Sequence, residues 1–322
     1  MKNYQEISIN DIKGIKIGHF DDAVNGTGVS VILPDEKAIC GVDIRGGGPA
    51  SRETVLLDPL KSNDGINALF LSGGSAYGLD VAGGIMKYLE EKGKGVKVGN
   101  AIVPIVVGSC IFDLGVGNGK VRPDGEMGYK ACLDAEKNLP RCGNIGGGMG
   151  ATVGKMKGDK YAMKSGLGTF ALKVGKLEVG AIVIVNAIGN VYEIDSNKPL
   201  AGLLDNKKEH IIDCEDEAVK LLQLMNTFGL NTTIGAIITN AKLDKASMNK
   251  VAAMASNGLA RTIRPVNMSM DGDSVYAMCT GKVKSSADVI GTMASFAMAK
   301  AINNAVMSAD DLFGYKSYKS LL

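Results

Sequence analysis

The chain has 322 residues, 45 % of them hydrophobic, and 36 basic against 34 acidic side chains leave a formal net charge of +2. That balance gives no electrostatic reason to expect nucleic acid or a charged membrane surface as a partner, and 5 % aromatics without Trp argue against base-stacking platforms. No run of about 18 apolar residues occurs, and the start Met-Lys-Asn-Tyr-Gln-Glu lacks the apolar stretch of a signal peptide, so a cytoplasmic location is expected.

The 43 glycines fall inside motifs instead of forming a linker, which suggests a site lined by main chain. Six cysteines (Cys40, Cys110, Cys132, Cys142, Cys214, Cys279) include no CxxC pair, so neither a zinc ribbon nor a redox motif is indicated. Only His19 and His210 are available for a histidine triad or a multi-histidine metal site. His19 ends an alternating strand-like run and suits structural hydrogen bonding, and His210 lies in a charged Lys-Lys-Glu-His segment. Neither metal nor cofactor is expected.

Residues 15–19, 29–33 and 39–44 alternate as strands around the turn Asn25-Gly-Thr-Gly28 and read as a β-meander. Arg45-Gly-Gly-Gly-Pro-Ala-Ser-Arg-Glu53 follows; its glycines either turn amides toward a ligand or form a plain loop before a short helix. Residues 68–72 read as a buried strand, Gly73-Gly-Ser-Ala-Tyr77 as a sharp turn and 79–91 as a helix. Such an arrangement aims free amides, here at Gly74 and Ser75, at whatever lies above the turn, as an oxyanion or phosphate site would. The Gly-Lys-Ser/Thr ending of a phosphate loop is missing.

Residues 103–114 are apolar, and 124–138 form a helix entered at Pro123. Gly146-Gly-Gly-Met-Gly150 opens another strand pattern, and Lys164-Ser-Gly-Leu-Gly-Thr169 turns into a strand over 170–174. A strand over 179–185 closes at Asn186, which is either a turn former or a strand-end catalytic amide. Residues 195–212 are the most hydrophilic and read as an exposed loop, and 215–228 as a helix. Beyond them come an amphipathic helix over 243–263, a tight turn Met270-Asp-Gly-Asp-Ser274 into a strand over 275–279, and a closing helix over 287–306.

Between these, Asn231-Thr-Thr-Ile234 stands at the mouth of an apolar strand over 234–238. A threonine hydroxyl is a poor nucleophile at its own pKa, and one way to activate it is to make the threonine an N-terminus whose α-amine accepts the proton. Such an amine titrates at about 7.7 to 8.0, which suits a general base near neutral pH. Thr232 is internal, so the bond to Asn231 must be cut first. The hydroxyl attacks the Asn231 carbonyl, the acyl group shifts from nitrogen to oxygen, and water releases the ester to leave residues 1–231 and 232–322. The other reading of this stretch is an ordinary polar turn before a strand.

In order along nearly the whole chain, Gly14-Ile-Lys-Ile-Gly-His19, Arg45-Gly-Gly-Gly-Pro-Ala-Ser-Arg-Glu53, Leu71-Ser-Gly-Gly-Ser-Ala-Tyr-Gly-Leu79, Lys164-Ser-Gly-Leu-Gly-Thr169, Asn231-Thr-Thr-Ile234 and Asp271-Gly-Asp273 resemble the self-processing L-aminopeptidase/D-esterase peptidases. That family includes β-aminopeptidases and nylon-oligomer hydrolases. The resemblance implies an α/β fold, a four-layer αββα sandwich like that of N-terminal-nucleophile hydrolases, in one peptidase domain over 1–322 that self-cleaves. By the resemblance, Thr232 is the nucleophile, and Lys164 is the lysine near its hydroxyl, where a cation favours the alkoxide. Asn186 is the strand-end amide that donates to the oxyanion, and Asp271 and Asp273 are the acidic pair that orients the amine and the lysine. A site tyrosine is also implied, and Tyr77 and Tyr129 both fit. The implied assembly is a homo-oligomer, a tetramer of cleaved units, and the implied substrate a short peptide, amino-acid amide or ester. An acyltransferase using the same acyl-threonine, or an uncleaved glycine-rich binding protein without activity, are the alternatives.

Overall fold

The computed structural model of the chain describes residue 1 and residues 3–222 and 231–322. The strands that build its two large sheets are, in chain order, β1 (Gln5–Ile7), β2 (Ile15–Asp22), β3 (Thr27–Pro34), β4 (Ile39–Ile44), β5 (Ala50–Arg52), β6 (Ala68–Ser72), β7 (Val106–Cys110), β8 (Leu167–Val174), β9 (Leu177–Asn186), β10 (Thr232–Lys242) and β11 (Ser274–Lys284). The helices that cover them are α1 (Val81–Glu91), α2 (Gly125–Ala135), α3 (Lys245–Ala255) and α4 (Ala287–Met307). One sheet has the order β1-β8-β9-β10-β11-β4 and the other β2-β3-β6-β7-β5.

Alternate side chains of a strand leave opposite faces of its sheet, and here both faces are apolar. Ile17, Ile32 and Leu71 of the five-stranded sheet share one buried cluster with Ile182, Ile184, Ile234 and Ile238 of the six-stranded sheet. The opposite faces carry Val29, Val31 and Phe70 under α1 and α2, and Val183, Ile237 and Val275 under α3 and α4. Burial on both sides explains why the strands read as continuous Ile/Val runs. The layers are helices, sheet, sheet, helices, the αββα sandwich that the resemblance implied.

Backbone proximity accounts for two of the glycines. A Cβ at Gly41 would lie 2.2 Å from the Asn249 nitrogen of α3, and one at Gly168 would lie 2.0 Å from the Ala301 carbonyl oxygen of α4. Both helices therefore rest on sheet backbone.

Three expectations change. Strands β2 and β3 pair as a hairpin, but β4 crosses to the other sheet and pairs with β11, so no three-stranded meander forms; periodicity identifies a strand but not its neighbour. The helix expected over 243–263 is interrupted at Ser256, whose hydroxyl donates to the Ala252 carbonyl at 3.2 Å. Within 195–212, Pro199–Ala201 pairs with Asn190–Tyr192, and Leu200, Leu203 and Leu204 are buried, because three leucines in a polar stretch still seek the core. The helix expected over 215–228 starts at Cys214 and runs to Leu222; its remainder lies outside the described residues.

Gly168→Ala should cost about 1–3 kcal/mol through overpacking against α4, read as a lower urea midpoint. An unchanged midpoint would mean that α4 shifts without loss.

Candidate active site

Strand β9 ends where β10 begins. Their antiparallel register sets Asn186 opposite Thr232 and Ile184 opposite Ile234. On its other flank β10 runs parallel to β11, with Ile234 opposite Ser274, and Asn231 bridges to Asp271. One end of the six-stranded sheet thus gathers a strand end carrying Asn186, a strand start carrying Thr232, and the acidic turn that feeds β11.

Asn231, Thr232, Asp271 and Asp273 are all buried. The Thr232 hydroxyl donates to the carbonyl oxygen of Asn231, and the Gly272 amide donates to the same oxygen at 2.9 Å. Asp273 accepts from the Thr233 amide at 2.5 Å and from the Asn267 amide at 3.0 Å. Asp271 accepts from the Met268 amide at 2.8 Å through Oδ2, while its buried Oδ1 has no hydrogen-bond partner among the described residues. Burial raises both carboxyls above the usual range, and Asp271 beside Asp273 raises the latter further.

The glycines of Arg45-Gly-Gly-Gly48 serve this turn. Arg45 and Gly46 donate to the Asp273 carbonyl at 3.0 and 3.2 Å, and Gly48 donates to the Asp271 carbonyl at 2.8 Å. Their amides are spent on the protein itself.

Across the ladder, Asn186 donates through Nδ2 to the Phe112 carbonyl at 2.9 Å and accepts at Oδ1 from the Thr152 amide at 3.1 Å. The ammonium of Lys155 reaches it twice, at 2.7 Å to Oδ1 and 3.0 Å to the carbonyl. Lys155 is delivered by Gly154, whose φ of +76° suits glycine and whose added Cβ would lie 2.0 Å from the Gly202 carbonyl carbon. Burial lowers the Lys155 pKa to about 7, against the opposing pull of Asp159, Asp271 and Asp113. Lys155 is not among the residues that the sequence motifs single out. Its signal is a lysine inside the apolar run Ala151-Thr-Val-Gly-Lys-Met156, where a charge requires a built partner.

Lys164 stands among main-chain carbonyls. It is fully buried, and its ammonium donates to the carbonyls of Ser165, Ala151 and Gly148 at 2.6, 2.9 and 3.4 Å. Its hydrogen bonds hold the second glycine cluster, and the lysine on Asn186 is Lys155. Tyr77 is 54 % exposed with the Arg122 guanidinium 3.6 Å over its ring, and Tyr129 on the outer helix α2 donates to Glu91 at 2.7 Å. The Gly74 amide donates to Asp113 at 2.7 Å and the Ser75 amide to the Ile111 carbonyl at 2.8 Å, so neither is free to meet an oxyanion. His19 is buried with Nδ1 2.9 Å from the Ser30 hydroxyl, and burial lowers its pKa to about 3; His210 is exposed.

Among the described residues, no group of three or more His, Cys, Asp or Glu side chains could hold a metal ion, and no helix is long and apolar enough to cross a membrane.

The αββα layering, with the junction of β9, β10 and β11 at one sheet end, is similar to the N-terminal-nucleophile hydrolase fold described for a solved aminopeptidase structure. A family model described as peptidase family S58 matches residues 8–320, and the chain belongs to that family. An uncharacterized aminopeptidase of Mycobacterium leprae is 38 % identical over 97 % of this chain and 93 % of its own length. A 6-aminohexanoate-oligomer endohydrolase of Kocuria sp. is 27 % identical over 85 % of this chain and 75 % of its own length. Among solved structures, the L-aminopeptidase D-Ala-esterase/amidase of Ochrobactrum anthropi superposes with a TM-score of 0.72, covering 95 % of this chain and 87 % of its own, at 18 % identity. A Burkholderia sp. β-aminopeptidase gives 0.67, with 98 % and 92 % covered, also at 18 % identity.

The unfolded chain keeps the Lys155 proton up to its ordinary value of 10.5, whereas the fold releases it near 7. Between those values the unfolded state binds more protons, so this residue makes stability rise with pH; below 7 the full cost of the buried charge is present. Wild type should therefore gain on Lys155→Met as pH rises across that window, measured by urea midpoints. Parallel curves would show that the folded ammonium stays charged.

Proposed function

We propose that the chain cuts itself between Asn231 and Thr232 and then works as an aminopeptidase on short peptides, amino-acid amides or esters, with Thr232 as its N-terminal nucleophile. One observation carries this reading: the buried Thr232 hydroxyl already rests on the Asn231 carbonyl, flanked by Asn186 with Lys155 and by Asp271 with Asp273. An ordinary turn before a strand has no use for a lysine and two carboxyls under cover.

After the cut, the α-amine of Thr232 takes the hydroxyl proton as the oxygen attacks a substrate carbonyl. An acyl-threonine forms, the leaving amine departs, and water regenerates the hydroxyl. Lys155, with its pKa near 7, holds positive charge one ladder step from the nucleophile and can exchange a proton near neutrality. It takes the role first assigned to Lys164. Asn186 spends one of its two Nδ2 hydrogens on Phe112 and keeps the other for a developing oxyanion. The Oδ1 of Asp271, without a partner among the described residues, supplies with Asp273 the acceptors for the new α-amine and for the substrate's own amine. Relatives named uncharacterized aminopeptidase and 6-aminohexanoate-oligomer endohydrolase support this substrate class.

The two pieces, 1–231 and 232–322, remain one fold in this reading. Strand β10 of the second piece pairs with β9 of the first, and β11 of the second pairs with β4 of the first. They should copurify under native conditions and separate only on denaturation.

Intact-mass measurement tests the proposal directly. Wild type should yield two masses, and Thr232→Ala one full-length, folded chain without hydrolytic activity. Normal cutting of that variant would move the nucleophile to Thr233, and an uncut wild type that still hydrolyses amides would remove the mechanism. Lys155→Ala should slow both cutting and turnover by about 100-fold or more; wild-type rates would take Lys155 out of the chemistry.

A further inference from the structure

Gly272 lies between the two carboxyls, and its N–H is 2.9 Å from the carbonyl oxygen of Asn231. Resting on the reading of Thr232 as a self-cleaving nucleophile, we propose that this backbone amide is the oxyanion donor of the self-cleavage step. As Thr232 Oγ1 bonds to the Asn231 carbonyl carbon, the carbonyl π pair moves onto the oxygen that Gly272 already holds. The C–N bond then breaks, its electron pair goes to the Thr232 nitrogen, and that nitrogen gains the proton the hydroxyl lost. The product is an ester with a free α-amine, and water hydrolyses it to the Asn231 carboxylate and the threonine hydroxyl.

A donor stabilises such a step when it is fixed before charge develops, and this one is held on every side. The Gly272 carbonyl accepts from the Ser274 hydroxyl at 2.9 Å. The Asp271 and Asp273 carbonyls on either side accept from Gly48 and Arg45, and the two carboxylates are tied to the amides of Met268 and Asn267. The position also requires glycine. A Cβ there would stand 2.9 Å from Thr232 Oγ1 and 3.0 Å from the Gly48 carbonyl oxygen, so a side chain would push apart the donor and the hydroxyl that must meet at one carbonyl.

The test replaces Gly272 by glycolic acid in the full-length chain, made by suppression in cell-free translation, which exchanges the N–H for an ester oxygen without added bulk. Loss of the uncut chain, followed by mass spectrometry, should slow by about 100-fold, the effect of removing one oxyanion donor. Gly93→glycolic acid removes an amide at the end of α1 that donates to the Glu90 carbonyl at 2.9 Å, and it should cut at close to the wild-type rate. Wild-type cutting of the Gly272 ester overturns the proposal. So does equal slowing of both esters at equal thermal midpoints, which would make the amide structural only. A wild-type chain that never cuts removes the underlying reading, and this assignment with it.

Discussion

The site depends on the register of one strand. β10 meets β9 antiparallel and β11 parallel, and only that combination brings a strand end and two strand starts to the same edge of a sheet. A slip of one residue would turn every β10 side chain to the opposite face. Ile234 and Ile238 would leave the core between the sheets, and Thr232 would leave its place opposite Asn186. Hydrophobic burial of the isoleucines thus fixes where the threonine hydroxyl stands. The chemistry inherits its precision from the packing.

Around that hydroxyl, charge is kept out of water by backbone groups more than by opposite charges. Asp271 is tied to the Met268 amide and Asp273 to the amides of Asn267 and Thr233, and Lys155 is tied to the carbonyl and side chain of Asn186. Desolvation pushes the carboxyl pKa values up and the ammonium pKa down, and Asp273 and Lys155, both at about 7, reach the range in which protons move easily near neutral pH. The glycine-rich segment 45–48 acts from behind, spending its amides to hold the acidic turn.

Much of this was legible in the residues. Continuous Ile and Val runs marked strands buried on both faces, helical spacing marked α1, α2 and α4, and the layering followed from the resemblance. Thr232, Asn186, Asp271 and Asp273 were read where the structure brings them together. Sheet partners were less visible, because alternation says which face a residue takes and nothing about which strand lies beside it; β4 shows this. Lys155 escaped notice for a related reason. Lys155 and Lys164 both interrupt apolar stretches near glycines, and only three-dimensional contact shows that one reaches Asn186 and the other a set of carbonyls. Amides at Gly74 and Ser75 looked free because their acceptors, Asp113 and Ile111, lie more than thirty residues further along the chain.

The surroundings of Lys164 have a further meaning. Three carbonyl oxygens converge on its nitrogen, much as the oxygens of a crown ether converge on potassium or ammonium. The polypeptide carries its own guest into that cage on a covalent tether. The donor that fills this cage is therefore part of the chain itself, and dilution cannot empty it.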